Sequence, residues 1–295
     1  MRRRDRLHIA SWVMFAPYLF LLVMFGIVPI VLAFESSLGP IPFMNDQGGL
    51  ENYLIVMRDF RFLPALQNVA LFLVIYVPVM LFVVMLLAIL LDVRPGRQNK
   101  YLMTLFIVPA AITGSVAILV WYFMLEPTLS PFRDVMHSLG ITEAAQIWNT
   151  GNMAFIFAAM AFFTGAGYWI LIMYGSLQAI SEEVLEAAHL DGANHWQMAT
   201  KIKLPLVKKY MVFMAVLTFA AGLQLFVEPQ LISASVYEGI ATSWTLNQVG
   251  YDFAFVQGNF AQAGAVSLIL LVASLAGGLL LISRTNFFDQ TEDAT

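Results

Sequence analysis

Acidic, small and turn-forming residues crowd into one short stretch, from Ser181 to Ala193. At 100° per residue, Glu182, Glu186 and His189 share one helix face, and Val184, Leu185, Ala187 and Ala188 lie opposite. Such a surface is suited to docking rather than to breaking bonds. Ala187, Ala188 and Gly192 let a partner approach closely, and Glu186 and Asp191 can pair with basic groups or cap backbone N–H groups. Ser181 suits the N-cap position, with Glu182 and Glu183 at the positive end of the helix. Gly192 suits the left-handed position that ends it. A second helix is expected from about Asn194 through Trp196 and Ile202, and Pro205 fits the first turn of a new one.

A second set of polar and aromatic residues lies inside long apolar runs, where such residues mark solute paths by default. Gln224 and Glu228 are four residues apart, so one uninterrupted helix would put them on one face. Glu228 lies 20 residues beyond Lys208, about 30 Å along a helix, which places it near a membrane boundary. Pro229 beside it could break the helix. Tyr168, Trp169 and Tyr174 offer flat faces with polar edges. Trp121 and Tyr122, close to the end of their run, fit an interfacial belt better. Bond-making chemistry lacks its parts. There is no cysteine, and the sequence contains no HExxH, no GxSxG, no GxxxxGK[ST] phosphate loop and no paired intramembrane acids. No catalytic residue and no metal site is expected.

The elements that carry these residues follow from composition. Of 295 residues, 60% are hydrophobic and 12% charged, with mean hydropathy +0.78. That is too little charge to cover a soluble surface and marks a polytopic membrane protein. Apolar runs cover about 12–34, 66–91, 102–124, 152–177, 209–231 and 260–283, and the first reads as an uncleaved span. Six spans put both termini on one side. Of the 15 Lys and Arg, only Arg58, Arg61 and Arg133 fall in the loops at 35–64, 125–150 and 232–259. The others, among them Arg94, Lys201 and Lys208, lie on the opposite side. That asymmetry places the 178–208 loop in the cytoplasm. No internal repeat or low-complexity segment is evident.

Glu186-Ala187-Ala188, Asp191-Gly192-Ala193 and Ile202-x-Leu204-Pro205, at their fixed offsets, resemble the cytoplasmic EAA loop of binding-protein-dependent ABC importer permeases. Residues 10–285 are similar to the sugar-type permeases of that superfamily. The likeness includes Leu91-Asp-Val-Arg-Pro-Gly96, Pro109, Trp121 and Gly175-Ser-Leu-Gln-Ala-Ile180. The segment Leu50-Glu51-Asn52-Tyr53 resembles the one that precedes their core.

The resemblance implies an all-α membrane protein with the type I importer permease fold. It would have six transmembrane helices and a cytoplasmic coupling-helix loop between the fourth and fifth. An N-terminal part, 1–65, would precede a permease core, 66–285, and a cytoplasmic tail, 286–295. Glu186, Ala187, Ala188, Asp191, Gly192, Ala193, Leu204 and Pro205 would form the ATPase-coupling site. Trp169, Tyr168, Gln224, Glu228 and Tyr174 are candidates for the path, since sugar rings stack on aromatic faces. The implied partners are a second homologous permease, two ATPase subunits docking on 178–208 and an extracytoplasmic sugar-binding protein. The chain would hold no cofactor and bind no nucleic acid, ATP and Mg being used by the ATPase subunits. It would be a transport subunit and not an enzyme, multi-pass in a prokaryotic inner or plasma membrane, with both termini cytoplasmic. Its cargo would be a mono-, di- or oligosaccharide. A polyol or glycerol-phosphate-type solute is the alternative, and a self-contained secondary transporter a remote one.

Overall fold

Apolar runs of 20 to 30 residues satisfy their own backbone only as helices when water is absent. The computed structural model conforms to that rule. It describes residues 3–40, 48–93, 96–112, 114–235 and 243–285, and every regular element among them is helical. Arg2, Pro42, Arg94, Pro95 and the expected tail 286–295 lie outside the described residues.

Helix α1 (Arg3–Leu22) continues through a π-helical turn (Val23–Ile27) into α2 (Val28–Ser37). Helix α3 (Glu51–Arg58) leads to α4 (Phe62–Val93), succeeded by α5 (Arg97–Ala111) and α6 (Ser115–Leu125). Two short helices, α7 (Arg133–Ser138) and α8 (Ala144–Ile147), precede the long α9 (Thr150–Gln178). The charged stretch folds as α10 (Glu182–Leu190) and α11 (His195–Gln197). A π-helical segment (Met198–Lys203) then carries the chain into α12 (Leu204–Leu223). Helices α13 (Val227–Ser235), α14 (Leu246–Tyr251) and α15 (Phe260–Arg284) complete it, with a π turn (Asp252–Val256) after α14.

Five helical stretches among the described residues are long and apolar enough to cross a membrane, and α5 with α6 makes a sixth if that bent pair is one span. The expected third span is therefore no straight helix: its two halves meet at 97°. Pro109 removes an N–H near the end of α5, and Gly114 takes φ +65° at the start of α6, a conformation that ends regular helix.

The fifth span is also interrupted. Helix α12 stops at Leu223, with Gln224 as its cap, and α13 begins at Val227. Gln224 and Glu228 thus do not share a helix face, and Pro229 sits inside the first turn of α13 rather than at the break. The interruption is sustained because Asn247 Nδ2 donates to the carbonyls of Leu223 (3.0 Å) and Leu225 (3.4 Å), which replaces bonds lost by the helix.

The chain divides into two compact units, Met1–Leu63 with Val249–Val272, and Pro64–Gln248 with Ala273–Thr295. In the smaller unit, Asn52 is buried and its Nδ2 donates to the carbonyls of Ser37 and Gly39. Tyr53 hydroxyl meets Ser37 Oγ at 2.8 Å. These residues tie α3 to α2 rather than facing outward. In the same unit Arg61 bridges Asp59 and Asp252 and lies over the Phe253 ring.

The larger unit has a core of aromatic and methionine side chains. Phe72, Phe157, Trp148 and Trp244 are fully buried, as are Met80, Met153, Met173 and Met214, the methionines filling irregular gaps between helices. Helix α9 packs closest on α5 at Gly167, where a Cβ would lie 2.1 Å from the Phe106 carbonyl oxygen.

Candidate functional site

The charged loop is built by caps. Helix α10 ends in a Schellman motif: Gly192 N–H donates to His189 O and Ala193 N–H to Ala188 O, both at 3.0 Å. This motif needs the left-handed Gly192 at φ +80°. Asn194 then starts α11 with a reciprocal capping box, its Oδ1 accepting from Gln197 N–H at 2.9 Å and its own N–H donating to Gln197 Oε1 at 3.0 Å. Ser181 stands at the N-cap position of α10, but its hydroxyl makes no capping bond. Pro205 lies in the first turn of α12, where its missing N–H costs little. The π-helical segment leads into that helix, with Leu204 N–H reaching back to Ala199 O.

The expected docking residues stay together. Glu186, Ala187, Asp191, Gly192 and Pro205 are exposed, Ala193 and Leu204 are half-buried, and Ala188 is buried. Two apolar side chains join them that amphipathic patterning passes over, Leu190 at 90% exposure and Trp196 at 76%. Beneath α10 lies a cleft of about 160 Å³ lined by Leu185, His189, His195, Met198 and Lys203, with Asp92 at its side. The rings of His189 and His195 stand perpendicular, 6.4 Å apart.

Asp92, in the last turn of α4, enters the sequence reading only within the Leu91–Gly96 likeness, with no partner indicated. It is buried, accepts from Gln178 Nε2 at 2.7 Å and pairs with the Lys203 ammonium. Hydropathy cannot find such a node, because its members are 86 and 111 residues apart in the chain.

The expected path residues scatter. Tyr168 points away from the core and is exposed, Trp169 meets Phe213 edge-on at 6.1 Å, and Tyr174 packs half-buried against the core. Gln224 is exposed beyond the end of α12. Glu228 borders a cavity. It lies with Trp121 and Ile118 of α6 and Thr164 and Met160 of α9 around about 210 Å³. Trp121, read from its position as a belt residue, thus faces a carboxylate, a hydroxyl and a void.

Residues 55–291 match the family described as binding-protein-dependent transport system inner membrane component. The chain belongs to this family.

Among relatives of this inner membrane component, the sn-glycerol-3-phosphate transport system permease protein UgpA of Agrobacterium fabrum is 29% identical over 277 residues, 91% of this chain and 92% of the relative. The arabinooligosaccharides transport system permease protein AraP of Halalkalibacterium halodurans is 25% identical, covering 90% of this chain and 84% of the relative. The fold is that of a solved importer: a chain of a bacterial ABC transporter involved in the import of the acidic polysaccharide alginate superposes with TM-score 0.80 at 16% identity, covering 97% of this chain and 99% of that one. This chain is accordingly a multi-pass inner membrane transport component with an ABC importer permease fold.

Proposed function

We propose that the chain is the permease subunit of an ATP-driven importer and carries a neutral sugar handed over by an extracytoplasmic binding protein. The single observation behind this reading is the hairpin of α10 and α11, which presents Glu186, Ala187, Leu190, Asp191 and Trp196 outward around a rigid Schellman turn. An ATPase subunit docks there on the cytoplasmic side, and a second permease completes the pathway. ATP and Mg belong to the ATPase pair, and this chain performs no hydrolysis. Both termini lie in the cytoplasm.

The cavity at Glu228 selects among cargoes. Among the described residues, no Lys or Arg lines it. A phosphate or uronate beside Glu228 would meet a like charge worth about 4 kcal/mol at 4 Å and intermediate dielectric. A neutral sugar instead finds the Trp121 face and the polar Thr164 and Glu228. The name of the UgpA relative favours a phosphorylated solute, and that of AraP a neutral oligosaccharide. Glu228 favours the second.

Purification of the tagged chain from its native membrane tests the assembly: an ATPase and a second permease should accompany it, and vanadate should block uptake. Uptake that survives vanadate identifies a self-contained transporter and ends this reading. Analysis of the solute held by the cognate binding protein tests the cargo, and a phosphorylated or uronic ligand rejects the neutral-sugar assignment.

A further inference from the structure

We propose that the buried Asp92–Lys203 ion pair is the latch through which the charged loop moves helix α4, so that both residues act as positioning residues in transport. The inference rests on the proposed docking of an ATPase on α10.

Asp92 divides its carboxylate between the two roots of the loop. Oδ1 accepts from Gln178, the last residue of α9 and the last helical residue before α10. Oδ2 pairs with Lys203, the last residue of the π-helical segment after α11. One side chain therefore ties the entry and the exit of residues 179–202 to the end of α4. That end is itself held from another side, since Asn99 Nδ2 donates to the Leu91 carbonyl at 2.7 Å. A pull on α10 is delivered to α4, and through Asn99 to α5, as well as along the chain into α12.

A buried ion pair is a poor device for stability, because apolar replacements of equal volume are often neutral or stabilising. What the pair supplies is position. Asp92 is buried, so its carboxylate is poorly solvated if Lys203 withdraws. The π-helical segment contributes to the same end. An extra residue in a helical turn rotates the downstream residues by about 100°, so the wide turn decides which face Lys203 presents. Helix α4 is a suitable element to drive, since Phe72, Met80, Val84 and Ala88 along it are fully buried in the core.

The test uses the complete complex in proteoliposomes, with the cognate binding protein isolated carrying its native ligand. The readout is the stimulation of ATP hydrolysis by that binding protein, compared with the basal rate. Asp92→Asn and Lys203→Met should keep basal hydrolysis and lose stimulation by at least about fivefold, the low end of ordinary coupling factors. The exchange Asp92→Lys with Lys203→Asp should restore it, and Gln178→Leu should lower it less than the charge variants. A merely structural pair would change assembly or melting temperature but not the ratio of stimulated to basal rate. Wild-type stimulation in either charge variant overturns the latch. Where those variants do not assemble, Gln178→Leu decides, a reduced ratio supporting the latch and an unchanged one rejecting it. Gly192→Val in parallel separates the two levels. If it too responds like wild type, the ATPase-docking reading falls. If it loses the response and the Asp92 and Lys203 variants keep it, only the latch falls.

Discussion

At Gly192 the constraint is the backbone and not space. The residue sits at φ +80°, and a Cβ added there meets nothing within 4 Å. Valine in that conformation costs about 1–2 kcal/mol of local strain, so the chain should relax the turn rather than unfold. Gly192→Val is expected to insert and assemble normally yet lose binding-protein-stimulated hydrolysis and uptake. Glu186 is exposed on the same helix, and a surface substitution there stays within about 0.5 kcal/mol. Glu186→Lys should leave the melting temperature unchanged while the ATPase no longer co-purifies. A third residue-scale expectation concerns Asp59, outside the spans. The side-chain hydrogen bond from Arg61 holds its carboxyl below the ordinary range, and Asp59 in turn raises the guanidinium. A depressed acid contributes stability that is complete above its unfolded value and lost as pH falls through the folded one. Arg61 N–H donates to Asp59 Oδ1 at 2.9 Å. Its hydrogen exchange, corrected for intrinsic rate, should be flat from pH 8 to about 5 and accelerate below about 4.

Between elements, the tightest constraint is the crossing of α9 over α5. Gly167 has the Phe106 carbonyl oxygen 2.1 Å from where its Cβ would be, whereas Gly175, two turns on, has nothing within 4 Å. Overpacking typically costs about 1–3 kcal/mol, more where the opposing atom is backbone. Gly167→Leu should therefore abolish a monodisperse complex in size-exclusion chromatography, and Gly175→Ala should be indistinguishable from wild type. Hydropathy made the spans and the charged loop legible, because both are statements about contiguous residues. It could not reveal where spans break. The interruption after Leu223 depends on Asn247, which supplies its bonds from 24 residues away, and an apolar run looks the same whether or not such a donor arrives. Distance from a span end suggests an interfacial belt for Trp121, and hydropathy does not show that its ring also borders the cavity at Glu228. The turn that ends α10 was readable because its signal is local, a glycine just after an amphipathic stretch. The Asp92 node is assembled from α4, α9 and the π-helical segment, and nothing local announces it.

For the whole molecule the decisive question is parity. Among the described residues five stretches qualify as spans by length and composition, and the bent pair of α5 and α6 makes a sixth if it is one span. If the pair crosses the membrane, the loop around Leu139 lies outside and that around Leu190 inside. If it enters and leaves on one side, every later segment is inverted: Leu139 lies inside, and Leu190, with Lys201, Lys203, Lys208 and Lys209, lies outside. The second arrangement places four lysines on the wrong side of the charge asymmetry, each near a span end where the bias counts most. The first is therefore expected. The chain contains no cysteine, so a single introduced thiol is its only target for a maleimide. Both positions are open to reagent, Leu139 at 72% exposure and Leu190 at 90%. In intact cells or spheroplasts, Leu139→Cys should react with a membrane-impermeant maleimide, and Leu190→Cys only after permeabilisation. Because parity links the two sites, they must exchange behaviour together if the bent pair does not cross. Labelling of Leu190→Cys from outside would then remove α10 from any cytoplasmic ATPase, and with it the mechanism by which this chain would be driven.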